Sequence, residues 1–300
     1  MTNPVLAKSE AFSPNFVQHQ TYGPAGQYQS YDPNQPQAQY PGQYPGTEQY
    51  APQGQQPGYN QSWQMPTPPE PKMTLDDVLT KTGITLGLMI VVAVGTVSIA
   101  TALGINPGLL MGAGLIAGLA TIIFPFIAAA RRKIGPGIAI PFAILEGVFI
   151  GAISWMFGSV YDGIVLQAVL ATLVAAGITL AAFKFGNFRL SSRMRKIVSM
   201  SMFAFVGVAL VNLILSFTGV LANGGLFPGP HGEVTIWAWV AAGVGTVLAV
   251  LSLVDDFQYI EQGIHNGAPA SESWRAAYGL TVTLVWLYVN LLRILSYLRR

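Results

Sequence analysis

The 300-residue chain contains no cysteine. That excludes disulfides, thiolate metal sites and cysteine nucleophiles together, and it leaves the redox compartment open. Charge is nearly as scarce: 9% of residues are Asp, Glu, Lys or Arg, against roughly 25% in soluble domains. Net charge is +2, which implies no polyanionic partner and no nucleic acid. There are three histidines, His19, His231 and His265, and each falls outside the apolar runs, with His265 expected in a loop. The N-terminal stretch has no apolar segment of the kind a signal peptide requires.

These absences argue against catalysis. A serine protease within the membrane needs a base beside its nucleophile, and no apolar run holds a histidine. An intramembrane aspartyl protease needs paired carboxylates, and the runs contain no Gly-x-Gly-Asp. No Walker-type phosphate loop occurs, and haem or a resident metal would find few ligands. The chain is therefore read as a non-enzyme without a cofactor.

What is present is apolar sequence: 52% of residues are hydrophobic and the mean hydropathy is +0.47. A membrane-spanning helix needs roughly 20 apolar residues. Runs of that length occur at 83–103, 107–129, 138–159, 163–185, 197–221, 234–254 and 275–298. Gly104-Ile105-Asn106-Pro107 marks a turn between the first two, and no charged residue occurs from Thr82 to Ala130. Backbone groups in lipid must pair within their own segment, so the runs are expected to be helices; a β-barrel would show spans near 10 residues of alternating polarity. The fold class is an all-α polytopic membrane protein with about seven spans. Gly83/Gly87, Gly114/Gly118 and Gly147/Gly151 have the spacing that lets helices approach closely, although 33 glycines would produce such pairs by chance.

Residues 1–72 read as a separate region, and 73–300 as the membrane domain. From Pro14 to Pro71 the chain is rich in Gln, Tyr, Pro and Gly and poor in aliphatic residues, with a short repeat at Gln39–Gly46. Such a stretch cannot bury enough surface to offset the entropy of ordering. It is expected to be a disordered tether, or else a tyrosine-rich recruiting segment.

Positive charge orients the spans. Lys72 and Lys81 precede the first, Arg131-Arg132-Lys133 follows the second, and Lys184, Arg189, Arg193, Arg195 and Lys196 follow the fourth. The opposite loops, near Asn106, Tyr161-Asp162 and Asn223–His231, carry neither Lys nor Arg. The N-terminus is thus expected in the cytoplasm, in a bacterial inner membrane. Arg299 and Arg300 break the rule if all seven segments cross.

An ionisable group within a span is costly and points to function. Glu146 lies in the third run, Asp255 and Asp256 at the end of the sixth, and Asn290 and Arg293 in the seventh, three apart on one face. Two carboxylates and an arginine near one membrane face could form a closing ion pair or a cation site. Each also has an ordinary explanation: a single protonated carboxyl for Glu146, helix-end solvation for the aspartates, snorkelling for Arg293.

Leu253-Val254-Asp255-Asp256-Phe257-Gln258-Tyr259-Ile260-Glu261, Leu287-Tyr288-Val289-Asn290-Leu291-Leu292-Arg293-Ile294-Leu295 and the Glu146-Gly147…Gly151 stretch together resemble the Bax inhibitor-1 family, over about Leu75 to Arg300. The resemblance implies seven helices with the last one central, and a pH-sensitive calcium leak gated by two acidic residues. The first matches Asp255, a possible Ca²⁺ ligand and pH sensor, with Asp256 beside it. The second falls on Asn290, where the family is usually acidic, so the shared-proton coupling of two carboxylates is expected to be missing. Asp256, Glu146 or His265, which titrates in the right range, could stand in.

Three functions are therefore expected in order: a passive cation pathway, chiefly for Ca²⁺, whose oxygen ligands suit the chain; a regulatory protein that binds other membrane proteins or proteases; and a proton-coupled transporter using Glu146. Membrane lipid is the one partner implied in each case.

Overall fold

The computed structural model describes residues 70–131, 134–221 and 225–300. The glutamine- and tyrosine-rich tail up to residue 69, with His19, lies outside the described residues, as do Arg132, Lys133 and Asn223. Among the described residues there are eight α-helices: α1 (Leu75–Ala102), α2 (Pro107–Thr121), α3 (Phe124–Ala130), α4 (Pro136–Gly158), α5 (Ile164–Phe185), α6 (Ser192–Phe217), α7 (Ile236–His265) and α8 (Ser273–Leu298). They supply seven segments long and apolar enough to cross a membrane, with α2 and the start of α3 forming one. The α2–α3 break has a local cause. Pro125 cannot donate to the carbonyl of Thr121, so the ladder is interrupted there, and Ile122 and Ile123 carry the turn.

α1 begins with a capping box: Thr74 Oγ1 accepts from the Asp77 amide at 3.2 Å and donates to Asp77 Oδ2 at 2.8 Å. Residues 70–72, expected at the end of the tail, are instead tied to the α7–α8 connection. The Met73 amide donates to the Ala268 carbonyl and the Ala270 amide to the Pro71 carbonyl, each at 2.7 Å.

The core is built around α8, which packs closely on α1, α4, α5 and α7. α2 leans on α4, and α6 leans mainly on α7. Glycine decides the closest approaches. A Cβ at Gly147 would lie 2.8 Å from the Met89 carbonyl oxygen, and one at Gly151 2.8 Å from that of Ala93, so α1 can lie directly against α4. Gly114 meets Ala152 and Gly118 meets Phe149 in the same way, whereas Gly83 and Gly87 face open space and do not mark a helix contact.

Seven crossings carry the chain from a near face, where α1 begins, to a far face, where α8 ends. On the near face, the loop before α6 is fastened to α7. Gln258 Oε1 accepts from the Leu190 amide at 2.8 Å, and Arg189 pairs with Glu261, with Nη2 to Oε1 at 2.9 Å. That carboxylate raises the Arg189 guanidinium above its ordinary pKa. On the far face, Arg299 donates to the Asp162 carbonyl at 2.6 Å and to Gln167 Oε1 at 2.7 Å, and Arg300 donates to Tyr161 and to the carbonyls of Gly229 and Gly232. The end of the last segment therefore lies beside the loops at 161–162 and 229–232, and loop carbonyls hold both terminal arginines.

Candidate functional site

Asp255 and Asp256 are not helix-end residues. α7 continues to His265, and both carboxylates are buried, at 5% and 2% exposure. The hydrophobic run ends at Val254 because polar residues follow, yet the helix extends on under cover of its neighbours. Solvation at a helix end is thus not what accommodates them.

Their surroundings come from three helices. Arg195, in the first turn of α6, places Nε 4.0 Å from Asp255 Oδ1. Its guanidinium also stacks 5.6 Å from the ring centre of Tyr259, one turn along α7. From α8, Thr283 donates its hydroxyl proton to Asp256 Oδ2 at 2.6 Å. The adjacent aspartates thus point to different partners: Asp255 towards a cation on α6, Asp256 towards a hydroxyl on the central helix. A buried carboxylate is tolerated when hydrogen-bonded or paired, and each has a partner here.

Asn290 does not join this group. It lies seven positions beyond Thr283 on α8, about 10 Å further along the axis at 1.5 Å per residue. Its Nδ2 donates to the Trp286 carbonyl at 2.9 Å, and its oxygen packs on Gly245 of α7. The α8 residue opposite the aspartates is Thr283, so the expectation that Asn290 takes the second position is corrected. The registry of two antiparallel helices sets this pairing, and linear spacing does not reveal it. Arg293 is one turn further out again, half-buried, with its guanidinium 4.7 Å from the ring centre of Phe227. It is remote from the aspartates.

Glu146 forms a second, separate acidic position. It is buried on α4, facing Thr121 of α2 and Tyr278 of α8. Tyr278 is wholly buried, packs edge-on to Phe142 at 4.7 Å between ring centres, and its hydroxyl has no hydrogen-bond partner among the described residues. His265 is not in a loop but in the last turn of α7, exposed and beside Glu261 rather than the aspartates.

Two features escaped the sequence reading. Arg195 counted only as a topological charge, and Arg275 only as a charge at the start of the last run. Arg275 is fully buried; its Nε donates to Glu272 Oε2 at 2.9 Å and its Nη2 to the Arg131 carbonyl at 3.2 Å. The i, i+3 spacing of Glu272 and Arg275 was the available signal.

Between α1, α4, α5 and α8 is a cavity of about 620 Å³, lined among others by Met89, Val97, Ser154, Val169, Leu284 and Tyr288. It occupies the far half of the bundle and ends at Leu284 and Val285, level with Thr283 but on another side of α8. Its one polar pair is Ser154 Oγ and Tyr288 Oη, 2.7 Å apart. Among the described residues no three His, Asp or Glu side chains converge as a metal site.

The comparison with known proteins rests on one match. The family model described as Bax inhibitor 1 like matches residues 3–300, essentially the whole chain. The chain belongs to the Bax inhibitor 1 like family. A search of curated proteins finds no match. As a member of this family with seven membrane-length helices, the chain is read as an integral membrane protein, and the aspartate pair of α7 is its leading candidate site.

Proposed function

We propose that this Bax inhibitor-like protein is a pH-sensitive cation leak pathway, with Ca²⁺ as the permeant ion, and that the conformation described is closed. The observation that carries the reading is Asp255 and Asp256 buried in mid-helix between α6 and α8. Burying two carboxylates is expensive, and a purely structural α7 would not need them. Oxygen ligands are the donors Ca²⁺ takes; Asp255 supplies one carboxylate, and Asp256 supplies a second beside the Thr283 hydroxyl.

Arg195 is the lock in this reading. Its guanidinium faces Asp255 and occupies the position a cation would take. α6 is lightly embedded, leaning mainly on α7, so it can swing away at little packing cost. The cavity in the far half is lined by Leu284, Val285 and Tyr288 of α8, the helix that carries Thr283. Protonation of Asp255 weakens its attraction for Arg195 and its affinity for Ca²⁺ together, which makes flux pH-dependent. Arg195 on α6 and Tyr259 on α7 are among the groups beside the pair. The near face, rich in Lys and Arg, is the cytoplasmic one in this proposal, so the N-terminus is cytoplasmic.

The test is Ca²⁺ flux into proteoliposomes between pH 5 and 8. Asp255→Ala is expected to abolish flux by removing the ligand, and Arg195→Gln to raise it by removing the competing cation. Thr283→Asp places a second carboxylate opposite Asp256 and is expected to steepen the pH dependence, where Asn290→Asp leaves it unchanged. Folded wild-type protein that passes no Ca²⁺ at any pH in that range would refute the leak and leave the regulatory reading in its place.

A further inference from the structure

The far end of α8 carries a feature the leak does not use. Asn290, Arg293 and Tyr297 lie on one face, at i, i+3 and i+7. Arg293 has five N–H donors in a planar fork, yet among the described residues its guanidinium makes no hydrogen bond and no ion pair; its contact is the face of Phe227. The Tyr297 ring is 5% exposed, held edge-on by Trp239 at 5.4 Å between ring centres, and its hydroxyl is buried without a partner among the described residues. Arg300 stacks over that same ring at 5.8 Å. Arg299 and Arg300 are satisfied by neutral oxygens, so no described carboxylate neutralises any of the three arginines.

An unpaired guanidinium away from water costs several kcal/mol. The Arg293 guanidinium rests on the Phe227 ring instead of extending freely towards the helix end. Arg293 lies six residues before Arg299, about 9 Å below the far end of the helix, which is the depth at which lipid headgroups meet acyl chains. A groove of about 650 Å³ runs beside this point on the membrane side of α6, lined by Val208, Val211, Leu215, Leu226 and Trp237. Leu226, which lines the groove, directly precedes Phe227, the residue on which Arg293 stacks.

We propose that this end of the bundle binds one phospholipid of the far leaflet, its phosphate held by Arg293 and Tyr297 and an acyl chain lying in the α6–α7 groove. A guanidinium fork takes a phosphate in two parallel hydrogen bonds, and the tyrosine hydroxyl supplies a third donor. The ligand cancels a positive charge that the protein leaves unbalanced. The site does not rest on the leak: it lies on the opposite half of α8 from Asp256.

Native mass spectrometry and phosphorus assay of the full chain, purified in detergent with exhaustive delipidation, test the proposal. Wild type should retain about one phosphorus-bearing lipid per chain. Removing a charge-assisted hydrogen bond should lower retention roughly 10- to 100-fold in Arg293→Gln. Tyr297→Phe, which keeps the ring and the fold, should lower it several-fold, and Arg293→Lys should restore part of it. Arg189→Gln, on the near face, should leave retention at the wild-type level. Wild type that holds no phospholipid, or holds as much in Arg293→Gln and Tyr297→Phe as without them, overturns the site. Inorganic phosphate that binds in place of any lipid overturns the lipid as occupant.

Discussion

Thr283 shows how much one hydroxyl can decide at the residue scale. From α8 it donates to Asp256 Oδ2 at 2.6 Å. Thr283→Val keeps the shape and removes the donor. A buried acceptor left without its partner costs about 1–3 kcal/mol, so the variant should melt earlier in detergent, by several degrees. Thr283→Ser should recover most of the loss. The buried Arg275–Glu272 pair predicts a larger effect. Glu272→Ala removes the carboxylate beside a fully buried guanidinium, with an expected loss of about 3–5 kcal/mol. Replacing both residues by leucine should be far milder than the single change. Equal losses in the two variants would show that the ion pair is not what Glu272 contributes.

At the scale of elements, glycine governs which helices touch. Gly147 and Gly151 let the α1 backbone reach α4 at distances a Cβ would not permit. Gly151→Leu should force the two helices apart and cost about 1–3 kcal/mol or more, measured as loss of monodisperse protein and of melting temperature. Gly87→Leu, facing open space, should be nearly neutral. The three pairs have the same spacing in sequence, so spacing alone could not separate them. What separates them is the partner: the α1 backbone lies opposite Gly147 and Gly151, side chains of α4 lie opposite Gly114 and Gly118, and nothing lies opposite Gly83 and Gly87.

For the whole molecule, the absence of cysteine makes topology directly testable. His231→Cys and Arg300→Cys should react with a membrane-impermeant maleimide from the same side, and Lys72→Cys and Asn187→Cys from the other. Labelling of positions 72 and 300 from one side would mean that one apolar segment fails to cross. The contacts of Arg299 and Arg300 with the loops at 161–162 and 229–232 require the first outcome. Those contacts give the two arginines fixed carbonyl partners, which a count of charges along the chain cannot register.

Composition and run length determined the helical class and the seven spans, because the bilayer demands about 20 apolar residues per crossing whatever the bundle does inside. They also singled out Glu146, Asp255, Asp256 and Arg293, since an ionisable group in such a run is conspicuous by its cost. Helix ends were less legible. α6 begins at Ser192 because Ser191 caps its exposed first turn, accepting from the Met194 amide, and α7 runs to His265 because most of its polar turns are covered by neighbouring helices. Which of the costly residues meet was beyond the sequence altogether. Helix rotation and antiparallel registry set Thr283 and Arg195 against the aspartates, put Asn290 on Gly245, and sent Glu146 to the opposite side of α8. A one-residue step turns a side chain by about 100° around the helix, so only the packed bundle decides who faces whom.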